Sequence, residues 1–373
     1  MKQRIWVLGV VWLVFSLFSI GMPEKIFSEA ENRYLQQKPK LKVEAVLDGT
    51  YMEDFEAWMS DQLVLRDELV ALKASVDQVT GRSDSGGVYL GRDGYLLEMF
   101  TKIEEKRWER NVDETADFLK QMEARGVEGH FLMVPTAAYV LEEKLPAFAP
   151  ELNQEELMEK LQERIPGFIP VAAYLKQVAA AAEDSDGEQL YYRTDHHWTS
   201  LGAYYAYAAF CRETGRAEPV LSDYETSVLS TEFYGTGYAK AGLYHLKPDT
   251  MMAMHRKEQS LVTVDYGTGE PETTLYDRTF LEKRDKYRVF LKGNYPLTKI
   301  TTAVKNGKKL LLIKDSYANI FVQFLTEEYE EIHLIDLRYF KQEPETYVTD
   351  QGITEVLFLY QIKNFAEDTN IRL

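Results

Sequence analysis

The segment Tyr191-Tyr192-Arg193-Thr194-Asp195-His196-His197-Trp198-Thr199-Ser200 places one carboxylate beside two of the chain's six histidines. Asp195 and His197 are two residues apart, so in locally extended backbone their side chains project to the same side and can share a hydrogen bond. A carboxylate in that place fixes an imidazole tautomer and stabilises its protonated form, as a general base requires. Thr199 or Ser200 is then in position to cap a following helix.

A base needs a nucleophile, and Leu310-Leu311-Leu312-Ile313-Lys314-Asp315-Ser316-Tyr317-Ala318-Asn319 offers one. An apolar strand pattern runs into Asp-Ser, and a helical pattern starts directly behind it. A serine there sits at the carboxyl end of a core strand and at a helix amino terminus, where free backbone N–H groups can receive a developing oxyanion. Each motif also has a plainer reading. The histidines suit an ordinary strand-to-helix turn, and Asp315 or Ser316 alone is a common helix cap. Asp-His-His is also part of many metal-ligand sets and matches the short DHH signature of a phosphoesterase family, although that family's further aspartate-rich motifs are not evident.

Taken together, the two motifs resemble the DHHW proteins and the SGNH-hydrolase-like alginate O-acetyltransferases, in which a D-x-H-W element precedes a serine on a strand–helix turn. The match is specific at Asp195-His196-His197-Trp198. It extends to the amino-terminal apolar segment and to EAENRYLQQK at 29–38, DQLVLR at 61–66 and VYLGRDGYLL at 88–97. The resemblance implies a triad of Ser316 as nucleophile, His197 as base and Asp195 as orienting acid. It also implies that Asn364, after EVLFLYQIK, donates to the oxyanion. Arg338, which follows another strand end, is a candidate for substrate binding, Tyr317, Trp198 and His196 are further oxyanion or substrate candidates, and no metal or cofactor is expected. Lys314 stands where common SGNH hydrolases have glycine, and the Asp-His pair precedes the serine. That order matches the polysaccharide acetyltransferase branch.

The elements that must position these residues follow from pattern. Val112–Gly126 reads as a helix ending at a glycine, and HFLMV at 130–134 as a strand. Val171–Ala182 reads as a helix, Gln189–Tyr192 as a strand, and 200–215 as a long helix. KLLLI at 309–313, 332–335 and EVLFLY at 355–360 read as strands, with a helix over Tyr317–Thr326. Short apolar strands alternating with helices predict a mostly parallel sheet covered on both faces, with the site at the carboxyl ends of its strands. The expected fold is α/β, an SGNH-hydrolase-like three-layer sandwich over 101–373 with a β-rich insert at about 217–300. Residues 28–100 are expected to form a tether and flank, containing one amphipathic helix over Tyr51–Val76 and a hairpin around Arg92-Asp93-Gly94.

At the amino terminus, Lys2 and Arg4 precede the uncharged run from Ile5 to Met22, which is long enough to cross a bilayer. The basic flank favours a cytoplasmic start with the remainder outside. Residues 1–27 are therefore expected to be a membrane anchor, or a secretory signal that releases the domain if cleaved. Sixty acidic against forty-three basic residues give a formal charge of −17, which removes the driving force for nucleic-acid binding. One cysteine excludes an intrachain disulfide and a thiolate metal cage. Together with the resemblance to the polysaccharide acetyltransferase branch, the amino-terminal segment implies extracytoplasmic O-acetyl transfer to a cell-surface polysaccharide, and the resemblance implies a membrane-bound O-acyltransferase as acetyl donor. The alternatives are a carbohydrate acetyl esterase and a non-catalytic polysaccharide-binding surface protein.

Overall fold

The computed structural model describes residues 19, 21–28, 33–182, 189–243, 245–257 and 261–373. The apolar run from Ile5, apart from Ser19, Gly21 and Met22, lies outside the described residues. Among those described, no helix is long and apolar enough to cross a membrane. The chain forms two compact units, one of residues 1–88 with 238–246 and one of residues 89–237 with 247–373.

The larger unit is built on a seven-stranded sheet. Its strands, in chain order, are β1 (Glu128–Val134), β2 (Phe168–Ile169), β3 (Val262–Asp265), β4 (Leu297–Thr302), β5 (Lys309–Lys314), β6 (Glu331–Ile335) and β7 (Glu355–Gln361). They lie in the order β3-β4-β6-β5-β7-β1-β2. The five from β6 to β2 are parallel, whereas β3 and β4 add an antiparallel edge. The sheet is therefore mostly parallel, as expected. Two strands within 217–300 are part of it rather than apart from it, and the rest of that segment includes an antiparallel ladder of Tyr224–Phe233 with Asp249–Arg256.

β5 shows why a continuous apolar run suits this place. Leu310 and Leu312 enter one buried cluster, while Leu311 and Ile313 enter another on the opposite face. Alternate side chains of one strand thus feed two cores. Helix α1 (Glu105–Ala124) supplies Trp108, Val112, Phe118 and Met122 to the second cluster. Helix α2 (Ser200–Glu213) supplies Tyr204, Tyr207 and Phe210 to the first. At ~25 cal/mol per Å² of apolar surface, each such aromatic contributes a few kcal/mol to holding its helix on the sheet.

The sequence patterns depart from the structure at three places. Gln189–Tyr192 is not a strand: only Tyr191 is bridged, to Trp198, and residues 193–197 are bends. The Tyr317–Thr326 helix is one short α turn, α3 (Ala318–Phe321), continued as 3₁₀ over Val322–Leu325. In the smaller unit the single helix over Tyr51–Val76 is two, Thr50–Asp61 and Arg66–Val79. Leu65 at the break has φ 57, the left-handed region, which no α-helix can contain. Asp61 accepts from the Gln36 backbone N–H at 2.8 Å, an outside contact that apolar spacing does not reveal.

Candidate active site

Ser316 follows β5 at the carboxyl end of the parallel strands and is partly accessible. Its Oγ lies 2.7 Å from Nε2 of His197, across 119 residues of sequence. His197 Nδ1 lies 2.5 Å from Asp195 Oδ1, which also accepts the His197 backbone N–H at 2.9 Å. The Asp195–His197 pair is therefore held by a tight bend in which one oxygen serves both groups. Alternation along an extended segment is not the cause.

Two loops, each anchored by its own contacts, are fastened together around this line. The Trp198 indole N–H donates to the Tyr317 carbonyl at 3.0 Å, and the Tyr317 hydroxyl donates to the His196 carbonyl. The Asp195 loop is clamped beneath by the buried Asp249, whose Oδ2 accepts from the Thr194 N–H at 2.8 Å and the Thr194 hydroxyl at 2.6 Å. Thr199 caps α2 by accepting from the Gly202 N–H, while the Ser200 hydroxyl donates to the Met252 carbonyl at 2.7 Å. Of the two expected caps, Thr199 is the one.

The second oxygen of Asp195 is held from 235–236. Thr236 donates to Oδ2 through its N–H at 2.8 Å and its hydroxyl at 3.1 Å. A Cβ on Gly235 would come within 2.2 Å of Asp195 Cβ and Oδ2, so only glycine lets this loop close on the carboxylate. The imidazole of His197 is flanked by two rings. Tyr287 stacks on it with centroids 3.8 Å apart and planes 9° apart, and His196 lies at 3.8 Å with a 39° tilt. Burial would raise the Asp195 pKa, but the neighbouring His197 and His196 and the hydrogen bonds it accepts hold it well below the carboxylate range. Burial, aided by His196, keeps His197 neutral and pushes it down to about 4, against the pull of Asp195. An anionic acid beside a neutral, buried base is the resting state that proton abstraction needs.

The remaining sequence candidates fall in various places. Tyr317 is fully buried, and its backbone N–H donates to Asp315 Oδ1 at 2.9 Å, so it does not serve an oxyanion. Asn364 Nδ2 donates to Asp315 Oδ2 at 2.8 Å, next to Ser316 in sequence rather than to Ser316 itself. The backbone N–H of Ser316 has no protein acceptor among the described residues. Arg338 is held by Asp336 through Nε at 2.8 Å and Nη2 at 2.5 Å, which ties up its fork. Trp198 has no exposed surface, so it joins the loops and does not meet substrate. His196 is partly open, with 17% of its side chain exposed. Lys314 is buried, donates to Asn294 and Asn319 Oδ1 at 2.6 Å each, and is pushed down by burial to about 8. Sequence patterns carry no signal for Tyr287 or Asp249, and the Tyr234-Gly235-Thr236-Gly237-Tyr238 run, whose aromatics suit sugar stacking, instead brings Thr236 to Asp195.

Asp195, His196 and His197 bring possible metal-ligand atoms within 4.8 Å of one another. Both oxygens of Asp195 and both nitrogens of His197 are already committed to protein hydrogen bonds. Only His196 Nε2 is left without a partner among the described residues. A cation would have to break the Ser-His-Asp line to bind here, so the donor set does not fit a metal centre.

Fold and site together define a mixed α/β protein with a serine, a histidine and an aspartate aligned at the carboxyl end of a parallel sheet. The family model described as DHHW protein matches residues 175–335, which include both motifs of this line. A DHHW family protein from Eubacterium siraeum has a similar solved structure, with a TM-score of 0.65 at 25% identity, covering 77% of this chain and 94% of that one. Bacillus cereus PatB1, solved with a sulfonyl adduct, gives a TM-score of 0.60 at 21% identity over 74% of this chain and 96% of that one. No curated protein sequence matches the chain. At these identities the PatB1 likeness concerns the fold, and the chemistry rests on the residues described above.

Proposed function

We propose that this protein is a serine-dependent acyl-ester enzyme that transfers an acetyl group to a cell-surface polysaccharide outside the cytoplasm. The observation that carries the chemistry is the unbroken line Asp195 Oδ1, His197 and Ser316 Oγ, with spacings of 2.5 and 2.7 Å. Ser316 Oγ attacks the acyl carbon as His197 Nε2 takes its proton, and Asp195 stabilises the resulting imidazolium. The backbone N–H of Ser316 receives the oxyanion. The leaving group departs with the proton from His197, leaving acyl-Ser316. An acceptor hydroxyl then attacks, gives its proton to His197, and Ser316 Oγ leaves and recovers it. The resemblance of the two motifs to the SGNH-hydrolase-like alginate O-acetyltransferases supports acetyl as the acyl group and polysaccharide as the acceptor. The resemblance and the basic-flanked run at Ile5–Met22 support an anchored, outward-facing domain fed by a membrane-bound O-acyltransferase.

The test is pre-steady-state turnover of a chromogenic acetyl ester by the full-length protein. An initial burst stoichiometric with enzyme is expected, lost in Ser316→Ala and reduced by about 10³-fold or more in His197→Ala. Full activity in Ser316→Ala, or turnover abolished by a chelator, contradicts the reading.

A further inference from the structure

We infer that His196, whose ring lies beside that of the base, holds a second hydroxyl of the acyl acceptor, next to the one that attacks, through an unprotonated Nε2. This rests on the acyl-transfer reading above. The tautomer is assigned from a chain of hydrogen bonds. Asp195 is an acceptor only, and its Oδ2 takes the Thr236 hydroxyl proton at 3.1 Å. Thr236 Oγ1, with its single proton given away, accepts from His196 Nδ1–H at 2.6 Å. A neutral imidazole protonated on Nδ1 carries a lone pair on Nε2. That atom has no protein partner among the described residues, and the ring lies 3.8 Å from the ring of His197.

The single proton of the attacking hydroxyl belongs to His197, so His196 must serve a neighbouring hydroxyl. An unpartnered acceptor beside the base selects a polyol over a simple alcohol, because a hydroxyl that is absent leaves it desolvated and unpaired.

The experiment partitions acyl-Ser316 of the full-length protein, formed from a chromogenic acetyl ester, between water and added acceptors. Propane-1,2-diol and methyl glucoside are compared with propan-1-ol. The wild type is expected to prefer the diols by about fivefold or more. His196→Ala and His196→Phe should bring that preference close to unity, and transfer should fall by a larger factor than the burst rate. The burst also reports that each variant is folded. An intact burst with the diol preference unaltered in both variants overturns the inference. Absence of a Ser316-dependent burst in the wild type contradicts the acyl-transfer reading itself.

Discussion

The ring of Tyr287 lies flat on the imidazole of His197, with centroids 3.8 Å apart and planes 9° apart, and its hydroxyl points at the Ser316 carbonyl at 3.5 Å. On the acyl-transfer proposal, Tyr287 is therefore a positioning residue. It fixes the plane of the base and keeps water from one face of it. Tyr287→Ala is expected to lower kcat/KM by about 10²-fold, the scale of an ångström-sized misplacement, while Tyr287→Phe retains most of the activity. Equal losses in both variants would assign the effect to the hydroxyl rather than the stack.

Gly235 carries a separate prediction. A methyl group there meets Asp195 at 2.2 Å, and the neighbour is a buried carboxylate already fixed by four hydrogen bonds. Gly235→Ala should cost about 1–3 kcal/mol of stability by overpacking. It should also reduce turnover per folded molecule, because the displaced carboxylate no longer orients His197. Denaturant unfolding and burst amplitude measured on one preparation separate the two effects.

The pH dependence follows from burial of the base. His197 is pushed from 6.5 down to about 4, so kcat/KM should stay flat as pH falls through 6.5 and decline only near the lower value. Between those values the unfolded chain binds a proton that the folded chain does not, so stability falls as pH falls across that window. An acid limb centred at 6.5 would mean that the imidazole is solvated in the working enzyme.

At the opposite end of the strands, Arg216 Nη2 lies 2.6 and 2.7 Å from the two oxygens of the buried Glu355, which also accepts from the Tyr329 hydroxyl at 2.6 Å. Arg216→Met leaves that carboxylate buried without its cation and should cost about 3–5 kcal/mol. The burst per folded molecule should not change, because Glu355 opens β7 while the site lies where β5 ends. The denaturation midpoint is the check.

The sequence carried much of the scaffold because β1, β5, β6 and β7 are short apolar runs whose two faces are both buried, a pattern that needs no long-range information. Asp195, His197 and Ser316 could be named because each combines a reactive side chain with a strand or helix boundary. The groups that hold them could not. Tyr287 is one of 24 tyrosines, and only the folded insert places its ring against His197. Asp249 is reached from Thr194 across 55 residues. The roles expected of Tyr317 and Trp198 fail for a similar reason. Position beside a motif suggests contact with substrate, but burial commits both to joining the two loops.

The central claim is that Ser316 is the activated nucleophile, and covalent labelling tests it most directly. The full-length protein is treated with phenylmethylsulfonyl fluoride at neutral pH, and the product is weighed intact and mapped by peptide mass. A single sulfonyl adduct on the peptide containing Ser316 is expected, absent in Ser316→Ala and much slower to form in His197→Ala, because His197 removes the proton at 2.7 Å. Undiminished labelling of Ser316→Ala, or an adduct mapped to another residue, would contradict it.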